Sequence, residues 1–308
     1  MNSNGEIYLR VVLLNNCNIK CFFCHKEGSG TISEKIQPIN IIKAVSAASM
    51  LGIKTVKFTG GEPLLYKELS TVISKIKELH PDVEISLTTN GIFLKEYISD
   101  LLDAGLDRVN VSLQTLDPLK YYQITGVDCL EKVIRGIETL IANKKTDSKI
   151  CSAFFKKNST EILSIAKWAK TMGLGYRVHN LLPALEETRS EIIPIEKIEQ
   201  IITSFPGASR LEINKNNKHR ILFSGKDWDI EMPDWRFWKK CRMSKCPINN
   251  QSKGVCNEGE VYAIRLTSKS IQTCLLGNKK NFIYNNLDEI HSSVIQGYEY
   301  LRYEIKIG

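Results

Sequence analysis

The sequence predicts an α/β fold, an open (β/α)6 partial TIM barrel followed by a C-terminal cysteine-rich region. Three observations carry this. Strand-like runs recur at residues 6–14, 54–58, 83–88, 107–112, 149–154 and 174–179, each separated from the next by a stretch of helical length. The runs are close to continuously apolar, as befits parallel strands covered on both faces, and right-handed crossovers curl such units towards a barrel. Beyond residue 185 the alternation stops, so six units rather than eight are expected, and the barrel stays open on one side.

Taken in order, residues 6–14 (EIYLRVVLL) form an aliphatic, β-branched strand that delivers the chain to Asn15, Asn16 and Cys17. Gln37-Pro38 opens a helical pattern with proline in its first turn, and Leu51-Gly52 closes it with glycine just past the end. Sites in such folds gather at the C-terminal ends of the strands, which is where residues 17–24, 59–63, 88–91 and 112–114 fall. Residues 191–204 read as a helix. An irregular stretch holding Trp228, Trp235 and Trp238 then leads to Cys241, Cys246, Cys256 and Cys274. This places a domain boundary near residue 190, dividing the chain into 1–190 and 191–308.

With 308 residues, 43% of them hydrophobic, the chain can bury a sizeable core. A net charge of +8 suits an anionic small molecule but is too dispersed to argue for nucleic acid. The first residues carry no signal-peptide pattern, and no run approaches the ~18 apolar residues of a membrane span, so a cytoplasmic location is expected. Nine cysteines in such a chain point to metal ligands or thiols rather than a disulfide framework. Cys129 and Cys151 stand alone in apolar surroundings and are expected to be buried structural residues.

Cys17, Cys21 and Cys24 form a C-x3-C-x2-C run directly after the first strand. Three thiolates this close read as ligands of a soft metal centre. On a four-iron cubane they leave one iron without a protein ligand, and an open coordination position is where metal chemistry takes place. One βα unit later comes Phe58-Thr59-Gly60-Gly61-Glu62-Pro63, whose glycines let backbone approach a ligand, while the Glu62 carboxylate and neighbouring carbonyls can accept from an ammonium group. His25 follows the third cysteine as a loop residue, His179 ends a strand, where it could face a substrate or be satisfied by a neighbour, and Trp235, Phe237 and Trp238 could stack a base or fill a core.

The cysteine triad and the glycine turn together resemble the radical S-adenosylmethionine superfamily. The resemblance implies a 4Fe-4S cluster on Cys17, Cys21 and Cys24, with S-adenosyl-L-methionine chelating the open iron and, after one electron from a donor such as flavodoxin or ferredoxin, yielding a 5′-deoxyadenosyl radical. It places Phe23 beside the adenine or cluster, Gly60, Gly61 and Glu62 on the methionyl amine, and Thr89, Asn90 and Ser112 within reach of cofactor or substrate. Within the superfamily the chain is most similar to the GTP 3′,8-cyclase group of molybdopterin biosynthesis. The phrases LRVVLLNNCNIKCFFCHKEG, VKFTGGEPLLYKEL, SLTTNGIFL, RVNVSLQTLDPLKYYQITG and IRLTSKSIQTCLLG carry that similarity. It implies a nucleotide substrate contacted by Arg10, Lys57, Thr88, Lys149, Arg177 and Arg265.

A departure from the group's pattern and a second resemblance leave the substrate open. The group's second cluster uses a C-x2-C pair and a later cysteine, whereas here Cys256 begins C-x2-G and Cys274 supplies the last position. Cys241 and Cys246 could complete an auxiliary 4Fe-4S cluster with these two. The same tract also resembles the twitch or SPASM appendage of radical enzymes that modify peptides, nucleosides or sugars. A non-enzymatic iron-sulfur redox protein is the remaining class, and the glycine turn argues against it.

Overall fold

The computed structural model describes residues 7–26, 34–143, 147–181, 185–215, 218–234, 263–273 and 281–307. All six expected strands are present: β1 (Tyr8–Val12), β2 (Thr55–Thr59), β3 (Glu84–Thr89), β4 (Arg108–Ser112), β5 (Lys149–Phe154) and β6 (Gly175–Asn180). They pair in parallel in sequence order, β1 with β2 through to β5 with β6. The connecting helices are α1 (Pro38–Met50), α2 (Leu69–Leu79), α3 (Leu94–Asp103), α4 (Pro118–Thr125), α5 (Leu130–Ala142) and α6 (Ile162–Thr171). Proline sits in the first turn of α1, and Gly52 beyond its end takes φ +81°, a left-handed conformation that glycine adopts without strain.

Strand alternation decides what faces where. Leu9, Val11, Val56, Phe58, Ile85, Leu87, Val109, Val111 and Ile150 point outwards and are buried in one continuous core with Ile41, Ala44 and Val45 of α1 and Ile73 and Ile76 of α2. The intervening residues, Arg10, Lys57, Thr88, Asn110, Lys149 and Arg177 among them, occupy the opposite face and line the lumen.

The structure adds what the irregular reading of residues after 204 did not anticipate. After α7 (Ile195–Thr203) comes an antiparallel meander of β7 (Ser209–Lys215), β8 (Lys218–Ser224) and β9 (Asp229–Pro233), and β9 joins β6 in parallel. At the other edge β10 (Ala263–Leu266) lies parallel to β1, and β11 (Ser270–Gln272) and β12 (Asn281–Ile283) follow antiparallel. The sheet therefore runs β12-β11-β10-β1-β2-β3-β4-β5-β6-β9-β8-β7 and stays open, with β12 and β7 at its ends. The meander escaped notice because Leu211 and Ile213 of β7 are exposed and the strand is otherwise polar, which gives no buried alternation to read. Helix α8 (Leu287–Ile307), capped by the Asn286 side chain accepting from the Asp288 and Glu289 amides at 3.0 Å each, packs on α1 and β10–β12. Among the described residues no helix is long and apolar enough to cross a membrane.

Trp228 anchors the β8–β9 turn. It is 1% exposed, meets the Phe205 ring edge-on at 5.6 Å between centroids, and its carbonyl accepts from the Gly225 amide at 2.9 Å. Replacing it with alanine leaves a large cavity beside β9, so Trp228→Ala is expected to lower stability by about 3–5 kcal/mol in urea denaturation.

Candidate functional site

Three loops meet at the C-terminal rim of the strands. The chain leaving β1 is stitched to the turn after β2: the Leu13 amide donates to Thr59 O at 2.9 Å, Gly61 N to Leu14 O at 2.7 Å and Glu62 N to Asn16 O at 2.8 Å. A Cβ on Gly60 or Gly61 would run into the carbonyls of Leu14 or Asn16, and Gly60 has φ +147°. Both positions are thus glycine so that two backbones can touch. The far side of the cysteine loop is tied to the end of α4 by Lys20 N to Thr125 O (2.8 Å) and Phe22 N to Ile124 O (3.2 Å).

Glu62 holds this rim together. Its carboxylate is 1% exposed; Oε1 accepts from Leu64 N at 3.0 Å and from Thr89 Oγ1 at 2.6 Å, and Oε2 accepts from Asn90 N at 2.8 Å. The side chain expected to reach for an ammonium thus faces inwards and joins the turn after β2 to the turn after β3. Burial pushes its carboxyl up, against the pull of the Thr89 hydroxyl and the Asn90 and Leu64 amides. Asn90 extends the network: its Nδ2 donates to Asn18 Oδ1 at 2.7 Å and lies 3.9 Å from Cys17 Sγ, inside the cysteine loop.

Cys17 and Cys24 are exposed and Cys21 is half-buried, all as free thiols. Burial, then the neighbouring Cys24 and Cys17, push Cys21 up to about 12, and Cys17 is raised by burial, Glu62 and Cys24. Cys17 and Cys21, whose ionisation burial and neighbouring thiols oppose, form with Cys24 a donor set that a cationic cluster satisfies, since thiolates bind metal and a bound cation reverses the repulsion. Among the described residues no three His, Cys, Asp or Glu side chains converge on a single ion. A cubane attaches its ligands to separate irons, and these three residues suit it. Phe23 does not extend into the rim alone: Phe22, Phe23 and Phe155 form a triangle with centroids 5.1–5.5 Å apart on a small core of Ile124, Phe155 and Leu181, and Lys157 lies over Phe22 at 4.7 Å.

The lumen below is polar. Arg10 stands opposite Lys57 on β2 and Arg265 on β10, while Thr88 stands opposite Asn110, itself opposite Lys149, and Ser112 opposite Cys151. Lys57 rests on the Tyr8 ring at 3.8 Å; burial, then Arg10 and Arg177, hold its ammonium down at about 7. Arg177 and Lys149 both reach Glu231 of β9, at 2.9 Å each, and Arg220 of β8 reaches it at 2.7 Å. Burial alone would raise Glu231, but Arg177, Lys149 and Arg220 outweigh it and hold the carboxyl at about 2. His179 is held near 3 by burial and Arg177, so it is a neutral imidazole here.

The structure thus gathers the triad, the glycine turn, Thr89 and Asn90 into one network, and Arg10, Lys57, Lys149 and Arg177 into one lumen. Arg265 is buried beside Arg10. Cys241, Cys246, Cys256, Cys274, Trp235, Phe237 and Trp238 lie outside the described residues. Cys129 is half-buried at the start of α5, against the core, whereas Cys151 corrects its expectation: it is half-buried and faces the lumen, where Arg177, Glu231, Lys149 and Lys57 surround it. Sequence reasoning missed Glu231 and Arg220; the only signal was the alternation of Asp229-Ile230-Glu231-Met232.

Glu62→Gln would turn an amide donor towards donors already aimed at the carboxylate. It is expected to cost about 1–3 kcal/mol, measured by urea denaturation of the protein without cofactor.

Comparison with known proteins agrees with this geometry. The Radical SAM superfamily profile matches residues 11–169. A probable GTP 3′,8-cyclase of Methanococcus aeolicus is 36% identical over 234 residues, covering 75% of this chain and 78% of that one. Its counterpart in Pyrococcus abyssi is 48% identical over 130 residues, 42% of each chain. Among solved structures, Streptococcus suis SuiB bound to S-adenosylmethionine superposes with TM-score 0.64 at 17% identity, over 92% of this chain and 64% of that one. A native anSMEcpe with bound AdoMet gives TM-score 0.60 at 15% identity, over 96% and 82%. This chain spans about two thirds of the SuiB structure, and at these identities the structural likeness speaks for the fold alone. With the profile covering half the chain and a relative matched over most of its length, the protein belongs to the radical SAM superfamily, as a radical SAM enzyme similar to the GTP 3′,8-cyclases.

Proposed function

We propose that the protein uses a 5′-deoxyadenosyl radical to rearrange or cyclise an anionic nucleotide, in the manner of the GTP 3′,8-cyclases. The observation that supports this reading is the lumen: Arg10, Lys57, Lys149 and Arg177 converge on one face of the sheet, upstream of the rim that bears the cysteines. Converging cations on rigid strands are what an anionic ligand requires.

In this reading Cys17, Cys21 and Cys24 hold the four-iron cluster. With S-adenosyl-L-methionine bound and an electron from an external donor such as flavodoxin or ferredoxin, that centre supplies the radical. Carbonyls of the Gly60-Gly61 turn take the methionyl ammonium, and Glu62 keeps that turn in place from behind. Asn90 and Thr89 couple the turn to the cysteine loop. Phe23, braced by Phe22 and Phe155, presents a rigid apolar wall at the rim. Thr88 and Ser112, on the lumen face of β3 and β4, orient the ribose and base, while Arg10, Lys57, Lys149, Arg177 and Arg265 bind or balance the anion. Residues 191–308 are assigned the capping of the substrate and, through Cys241, Cys246, Cys256 and Cys274, an auxiliary 4Fe-4S cluster.

Anaerobic reconstitution tests the reading. The protein is expected to cleave S-adenosylmethionine to 5′-deoxyadenosine, to lose that activity in Cys17→Ala, and to give a nucleotide-derived product from one member of a purine nucleotide panel. Cleavage without any such product would remove the nucleotide reading and leave the radical chemistry standing. The charge on Lys57 adds a pH dependence. It is protonated below about 7 and neutral above, and an anion needs the charge, so nucleotide affinity is expected to fall between pH 6 and pH 9. Calorimetric titration across that range should show the slope flattened in Lys57→Met.

A further inference from the structure

A metal-bound thiolate has lone pairs to share, and the N–H groups aimed at it help decide how readily the centre behind it accepts an electron. The cysteine loop is supplied with such groups. The Lys26 amide donates to Cys24 Sγ at 3.4 Å, and Lys26 takes φ +51° there, the one positive φ of a non-glycine residue among the described residues. At Cys17 the donors are the Ile19 amide and the Asn90 side chain, whose Nδ2 stands 3.9 Å from Sγ.

Asn90 differs from the other two. Its donor is a side chain, and it comes from the turn after β3 rather than from the cysteine loop itself. Asn90 is 6% exposed, and each of its polar hydrogen-bonding groups has a fixed task. The backbone amide donates to Glu62 Oε2 at 2.8 Å, Oδ1 accepts from the Ile92 amide at 3.1 Å, and Nδ2 donates to Asn18 Oδ1 at 2.7 Å. With Oδ1 claimed by Ile92, the side-chain amide is held one way round, and its second Nδ2 hydrogen is left for Cys17. Asn18 Oδ1 also lies 3.9 Å from Cys17 Sγ, but it can only accept, so it suits the thiol and offers the thiolate nothing. Once Cys17 has given up its proton to bind metal, Asn90 is the side-chain donor that faces the charge.

We propose that Asn90 is a positioning residue that sets the reduction potential of the cluster: its Nδ2–H group, held against the Cys17 thiolate, favours the reduced state and eases entry of the electron from the external donor. This rests on the assignment of Cys17, Cys21 and Cys24 to the four-iron cluster and is independent of the substrate. The negative charge gained on reduction is shared with the sulfurs, and an N–H group there stabilises the reduced state more than the oxidised one. Because the same residue donates to Glu62, the turn that takes the methionyl ammonium and the potential of the centre are governed from one position.

The test is a redox titration of the anaerobically reconstituted full-length protein, following by EPR the cluster signal that changes when S-adenosylmethionine is added. Asn90→Ala is expected to lower the reduced-to-oxidised ratio at a fixed poise about fivefold, equivalent to about 40 mV for a one-electron couple, with iron content unchanged. Asn18→Ala breaks the 2.7 Å link but leaves Nδ2 beside the sulfur, and is expected to keep the wild-type potential. If Asn90→Ala keeps it too, or if Asn18→Ala shifts it as far, the inference is overturned. A second measurement does not need Asn90→Ala to fold. With asparagine side chains carrying a heavy nitrogen isotope, pulsed EPR of the reduced cluster is expected to show an amide-nitrogen coupling in the wild-type protein that persists in Asn18→Ala, and absence of any such coupling in the wild type overturns the inference. Formation of the same cluster by Cys17→Ala would remove the cluster assignment, and the inference with it.

Discussion

The rim of this barrel depends on one buried carboxylate. Glu62 accepts from a hydroxyl and two amides that belong to the turns after β2 and β3, and through Asn90 the same network reaches the loop that carries Cys17. Strand ends in a parallel sheet are not otherwise obliged to keep a fixed relation, because each loop is free to follow its own helix. A charge that has lost its water must be satisfied completely, and here the groups that satisfy it come from separate βα units. Desolvation thus becomes positional accuracy where the chemistry needs it. The glycines on either side allow it, since any side chain at Gly60 or Gly61 would force the two backbones apart.

Much of this could be read from the residues. The six parallel strands followed from runs such as Val56 to Phe58 and Ile85 to Leu87, which are buried because helices cover them. Cys17, Cys21 and Cys24 announced themselves by spacing alone, and the turn at Gly60 and Gly61 by composition. What stayed hidden was whatever depended on a partner remote in sequence. Glu62 reads as a ligand-facing carboxylate until Thr89 and Asn90 are seen to claim both its oxygens. Cys151 reads as a core residue because the strand around it is apolar, yet its position in the alternation turns it to the lumen. Glu231 sits in a short strand next to a hairpin whose outer strand is exposed, where no local pattern marks it as the counter-ion of Lys149 and Arg177.

The lumen shows how a barrel can carry several cations without flying apart. Arg108 at its lower end is offset by Glu84 and Asp147, each at 3.1 Å, and the middle of the lumen by Glu231. Lys57 is handled differently, by an aromatic face and a lowered proton affinity, which makes it the group whose charge responds most readily to what arrives. Fixed ion pairs and one adaptable ammonium on the same strand face give the cavity both a rigid frame and a place that can adjust.

The sheet order bears on how such a protein is made. Strand β1, which delivers the cysteine loop, pairs on one side with β2 soon after synthesis, but its other neighbour is β10, with Tyr8 opposite Ala263. Until β10 leaves the ribosome, the strand beside the cysteine loop presents an unpaired edge, the kind of surface that recruits other strands. Pairing so distant in sequence is also slow to form. Completion of β1 is thereby coupled to the synthesis of β10, and a chain cut short before β10 would combine the cysteine loop with a sticky edge.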